Sequence, residues 1–206
     1  MTLTSILPTL RRSIPGPFSR DAWPARTVPT CDDVVVGGIS VTRYVGLCGL
    51  PAVMTAPAVI PLSGGMPSAT ASTTVLSLAV SGLLPAGGPG AAARVGEIPA
   101  IVLDAELGDA LRPVWGEARL LARVSGAADH RFAICGSDGS RLPGVAVVLP
   151  ADVRPGDVIA VPCPGAVGVG DIRPRRRPMT DGPASSAASS AAAATLAASP
   201  AAEGIA

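Results

Sequence analysis

Few side chains in this chain combine the type and the spacing that chemistry requires. The only histidine, His130, stands five residues before Cys135, and a histidine beside a cysteine can activate a thiol nucleophile. Five is an odd separation, so on a strand the two side chains point to opposite faces and do not meet without a bulge. Asp104, Glu106 and Asp109 could make a general-acid cluster, but only a pocket wall that desolvates them separates that from a solvated rim. Arg112 carries the planar fork of donors that suits carboxylate recognition, and equally suits an ordinary ion pair on a sheet surface. Cys31, Cys48, Cys135 and Cys163 include no C-x-x-C pair, so no metal site is expected and the thiols are read as reduced. Arg173 to Arg177, RPRRR, has no interleaved aromatic residue and reads as an arginine-rich exit from a domain rather than a nucleic-acid patch.

The bulk composition narrows the function classes further. All 16 basic residues are arginine, and the net charge is +1, so no global field favours nucleic acid or membrane as a partner. Apolar residues make up 48% of the chain, but no window of about 20 residues runs without Gly, Pro or a polar break, so no membrane span is expected. Arg11 and Arg12 follow the short apolar start where a secretory signal would have basic residues before it, so the expected location is the cytoplasm.

Stepping along the elements, 24 glycines and 22 prolines favour short strands and many turns. Val145 to Ala166, VAVVLPADVRPGDVIAVPCPGA, reads as strand, turn, strand, a hairpin. In Arg154-Pro155-Gly156-Asp157, Pro presets φ at the second turn position and Gly supplies the positive φ of a type II turn at the third. Pro162 and Pro164 are expected to end the second strand, because they cannot donate to a ladder. Val34 to Val36 suit a strand and Gly37-Gly38 a tight turn; Ser40 or Thr42 can cap a helical turn to Leu47, which Gly49 ends. Residues 73–84 and 97–103 are further strands, with 56–72 and 85–94 as loops. Residues 1–30 form an extended arm in which Phe18 and Trp23 cover a domain edge. The Ala/Ser-rich tail, 178–206, is expected to be disordered.

The run LPADVRPGDVIAVPCPGA resembles the end of the C-terminal β-domain of diaminopimelate decarboxylases, which are pyridoxal-phosphate (PLP) enzymes of the alanine-racemase-like fold type. A second match lies at Gly37, Gly38, Val41, Thr42, Gly49, Pro51 and Val53, which resemble the segment leading into that family's barrel. Asp104, Asp109, Arg112, Pro113 and Gly116 fall on its substrate- and cofactor-contacting stretch, where Arg112 would be the substrate-binding residue. Cys135 and Ser137 fall on the element whose cysteine reaches the partner subunit's active site, which makes Cys135 a catalytic candidate only in trans.

Three departures limit what the resemblance implies. The PLP-binding barrel needs roughly 250 residues, and the few dozen residues after Thr55 leave no room for it. The chain has no lysine to hold PLP as a Schiff base. Trp115 and Val167 stand where the family has tyrosines. The expectation is therefore an all-β chain, a small barrel or sandwich over residues 31–177 like the decarboxylase C-terminal domain, with disordered termini. It would be non-catalytic, bind no cofactor alone, and associate as a homodimer or with a barrel-containing homologue. The alternative is a split decarboxylase subunit that meets PLP only through a partner chain.

Overall fold

β5, Pro67–Leu84, is the strand on which the fold is built. In a computed structural model that describes residues 7, 10, 12–87, 97–108 and 110–174, its central run Thr73–Leu78 is buried on both faces. Alternation divides those faces: Leu76, Leu78 and Val80 enter the main core, while Val75 enters a second cluster behind the sheet. Each fully buried Leu contributes about 1.5–3 kcal/mol through the water it sheds. Thr73, Thr74 and Ser77 are buried in the same run, so this doubly covered strand does not read as a continuous apolar stretch.

The strands in chain order are β1 Thr27–Pro29, β2 Val34–Val36, β3 Ile39–Ser40, β4 Ala52–Val59, β5, β6 Ala100–Leu103, β7 Ala105–Leu107, β8 Arg119–Leu121, β9 Asp129–Cys135, β10 Arg141–Pro150, β11 Val158–Pro164 and β12 Ile172–Pro174. The main sheet has the order β10-β9-β6-β5-β11-β8, with β4 also paired to β5. Every pairing in it is antiparallel except β6 with β9. It curls into a half-barrel around Leu103, Phe132, Ile134, Val147, Leu149, Ile159 and Val161. Against the back of β5 and β11 lie the small β1-β2-β3 sheet and one helix, α1, Val41–Cys48, around Trp23, Val34, Val36 and Val41. A further pair, β7 with β12, completes the sheets among the described residues. Among the described residues no helix is long and apolar enough to cross a membrane.

Local expectations for the N-terminal layer hold. Gly37 and Gly38 turn between β2 and β3 with φ of 57° and 90°. Ser40 caps α1 by accepting from the Arg43 amide at 3.0 Å, and Gly49 ends it with φ 80°. The turn at Arg154 to Asp157 forms as expected, with φ 93° at Gly156 and the Asp157 amide donating to the Arg154 carbonyl at 3.1 Å.

Other expectations are corrected. The strands flanking that turn are not a hairpin, since β10 pairs β9 while β11 inserts between β5 and β8. Pro162 does not end β11, which runs on to Pro164. The Pro162 carbonyl accepts from the Val114 amide at 2.8 Å, so its nitrogen also faces away from β5 and no ladder bond is lost. Much of 56–72 is strand rather than loop, with only Ile60 to Met66 turning between β4 and β5. None of its Ser, Thr and Ala positions is fully buried, so the composition carried no apolar alternation to read. The arm, too, is more than an extended cover: Trp23 is fully buried and β1 pairs β2. The tail from 178, Arg175 to Arg177, and most of the 85–94 stretch lie outside the described residues.

Candidate functional site

The two ends of the main sheet face each other across a cleft of about 280 Å³. β8 supplies Arg119 and Leu120 to one wall and β10 supplies Val148 to Pro150 to the other. Gly16 and Pro17 of the arm, the loop Thr30 to Asp33, and the segment Arg123 to Asp129 complete the rim. The cleft is thus the unclosed seam of the half-barrel.

Arg119 lies on the same face of β8 as the buried Leu121 and is itself half-buried. Its Nη2 donates to the carbonyls of Gly16, at 3.1 Å, and Pro17. Its guanidinium carbon stands 5.4 Å from the centre of the Phe18 ring, within cation–π range. The Nε–H is buried and has no acceptor. Burial pulls the Arg119 pKa below its ordinary value, with Glu117 acting in the opposite direction.

Glu117 reads the arm from the other side. Its Oε2 accepts from the Ser19 amide and from the Trp23 indole N–H, both at 3.2 Å. The Trp23 ring stacks on Phe18 with centroids 5.7 Å apart. One cation and one anion two residues apart therefore hold the arm through its carbonyls and its N–H groups.

Arg123, also in the wall, is engaged through all three of its nitrogens. Its Nε and Nη2 donate to the two Asp157 oxygens at 2.9 and 2.6 Å, and its Nη1 to Asp152 Oδ2 at 3.1 Å. These partners push its pKa further above the ordinary guanidinium value. Ser125 donates to Asp152 at 2.6 Å. Asp33 accepts from the Val34 and Thr42 amides and from the Thr42 and Ser40 hydroxyls. Burial opposes the charge of Asp33, but those hydrogen bonds outweigh it and its pKa is lowered.

The residues singled out from sequence lie elsewhere. His130 is exposed and meets Phe132 edge-on, 5.1 Å between centroids, whereas Cys135 is 1% exposed in a cluster with Ala100 and Ala133. The two occupy opposite faces of β9, as their spacing requires. Arg112 is exposed, with Nη1 donating to the Leu111 carbonyl at 2.8 Å. Asp104 is not on a solvated rim: it is half-buried where β6 ends, and Oδ1 accepts from the Ala79 amide at 2.9 Å. Burial pushes its pKa up. Glu106 is exposed and accepts from Ser137, and Asp109 lies outside the described residues. Among the described residues no three His, Cys, Asp or Glu side chains gather as a metal ion would require.

Sequence reasoning missed Glu117, Arg119 and Arg123. One signal was available for Arg119: in the strand ARLLAR it alternates in phase with an apolar position that must be buried, and a buried arginine needs acceptors. Nothing local marked Glu117, whose partners are nearly a hundred residues earlier in the chain. Comparison with protein-family models, with curated proteins and with solved structures finds no match to this chain.

Proposed function

We propose that this chain is a non-catalytic relative of the diaminopimelate decarboxylases that acts by association, with a barrel-containing homologue as its partner. The observation that carries this reading is the absence of lysine from a sequence that otherwise resembles the end of the family's β-domain and the segment leading into its barrel. PLP does not fit on this chain alone. There is no side-chain amine to form its Schiff base, and Trp115 and Val167, at the positions of the family's tyrosines, pack in the main core at 9% and 7% exposure. The curled half-barrel is consistent with a domain of that family, and β10, ten residues long at one end of the sheet order, offers a strand for pairing with another chain.

The test is co-purification of the tagged full chain from its native host, followed by native mass spectrometry and a PLP absorbance scan. A stoichiometric complex with a lysine-bearing barrel decarboxylase is expected. Elution alone or only as a homodimer, or turnover of an amino acid by the isolated chain with added PLP, refutes the reading. Within such a complex, loss of decarboxylase activity on Arg112→Ala would instead indicate a split subunit, for which the exposed Arg112 is the residue in reach of a partner.

A further inference from the structure

We propose that the cleft between β8 and β10 is a binding site for a carboxylate, held by Arg119, and that the carbonyls of Gly16 and Pro17 occupy its place on the guanidinium. Among the described residues no carboxylate stands within ion-pair distance of Arg119, although it is half-buried. A desolvated cation whose one charged neighbour, Glu117, lies beyond ion-pair distance is costly, and neutral carbonyls compensate it less well than a carboxylate does. The arm's carbonyls engage only Nη2 and leave the buried Nε–H without an acceptor. A carboxylate lying side-on accepts from Nε and Nη2 together, which is the bidentate geometry a guanidinium is shaped for.

The other charges around the cleft do not compete for this role. Arg123 is already paired with two carboxylates, Asp152 and Asp157. Asp33 and Glu117 are engaged by the hydrogen bonds described above, and Asp129 has an interaction of its own. Among the described lining residues, Arg119 is thus the arginine with a buried N–H that has no acceptor and no carboxylate within ion-pair distance. With about 30 Å³ per water molecule as a yardstick, the volume of about 280 Å³ admits a molecule of several heavy atoms beyond its carboxylate.

The arm is placed to compete with such a ligand. Its path runs from Arg12, whose Nε lies 3.4 Å from where a Cβ added at Gly126 would stand, past Arg119 to Glu117. Displacing Gly16 and Pro17 disturbs Phe18 and, through it, the stacked Trp23 ring, which gives an intrinsic reporter.

The inference rests on this chain's own cleft and stands apart from the association reading. Its test uses the full chain, titrated with acetate, succinate and a short peptide with a free C-terminus. Acetamide, the C-terminally amidated peptide and sodium chloride serve as controls, and tryptophan fluorescence and amide NMR shifts are recorded. Saturable change from the carboxylates, with the largest NMR shifts at Gly16, Ser19 and Arg119, is expected. Succinate and the free-ended peptide distinguish a free acid from a chain terminus as the source. Arg119→Gln should weaken binding at least tenfold, and Arg119→Lys should retain part of it. Absence of saturation in the wild-type chain, an equal response to the neutral controls, or unchanged binding by a folded Arg119→Gln variant overturns the proposal. Should Arg119→Gln fail to fold, the wild-type titration with its map of shifts decides alone.

Discussion

Replacing Asp157 by Ala removes the partner that Arg123 grips with two donors, and also the acceptor for the Arg154 amide at 2.9 Å. The Asp157 side chain is 6% exposed and that of Arg123 20%, so the pair is largely withdrawn from water. Breaking a buried ion pair from one side costs about 3–5 kcal/mol. Arg123 keeps Asp152, through Oδ2 at 3.1 Å and the carbonyl at 2.9 Å, which places the expected loss at the lower end, about 3 kcal/mol. Asp152→Ala is the internal control: its side chain is 47% exposed, and such pairs contribute about 0–1 kcal/mol. For a chain of this size about 2–4 °C accompanies each kcal/mol, so Asp157→Ala should lower Tm by about 6–12 °C and Asp152→Ala by less than about 4 °C. Thermal and urea unfolding, each followed by the emission of the buried Trp23 and Trp115, provide the assay of Tm and of free energy. Substituting Arg123→Met together with Asp157→Leu should recover most of the loss, because the penalty lies in the stranded charge. An Asp157→Ala variant within about 1 kcal/mol of wild type, or indistinguishable from Asp152→Ala, refutes the reasoning.

Two glycines should respond to Ala with opposite signs in the same unfolding assay. Gly156, at φ 93°, should lose about 1–2 kcal/mol, whereas Gly46, inside α1 with open space at its Cβ, should gain about 0.5–1 kcal/mol. The acids Asp33 and Asp104 should also differ in sign against pH. The folded-state pKa of Asp33 is lowered, so its contribution is present above the unfolded value near about 3.9 and is lost as pH falls through the folded one. Asp33→Asn should therefore destabilise at neutral pH, and the gap should close in acid. Asp104 is raised by burial, so its penalty sets in as pH rises above the unfolded value near about 3.9 and is complete above the folded one. Asp104→Asn keeps an acceptor for the Ala79 amide and should be neutral or stabilising at pH 7, with the difference vanishing below about pH 4. Denaturation midpoints across the acid range check both, and parallel behaviour of the two variants contradicts the assignment.

Where the governing forces are local, the sequence was legible. Ser40 and Gly49 bound α1 because a cap needs only its own turn, and the turn at Pro155-Gly156 follows from two φ preferences in adjacent residues. Strand parity likewise separates His130 from Cys135 without reference to any other element. The hairpin reading of β10 and β11 failed for a non-local reason: a type II turn reverses the chain but does not choose the strand's neighbour. β11 gains more by lying between β5 and β8, where Ile159 and Val161 enter the core, than by pairing back on β10. The 56–72 stretch was misread because pairing to β5 stabilises strand in a sequence with little apolar alternation.

The sequence by itself determined the predominantly β character, the caps and turns, and the absence of any lysine that could hold PLP. Only the tertiary structure decided which charges lie in the cleft. Arg119 and Glu117 meet the arm across about a hundred residues of chain, and Arg123 meets Asp152 and Asp157 across the turn. A side chain's burial and partners depend on which strands become neighbours, and that choice is made by the burial of the whole sheet rather than by any residue's own preference.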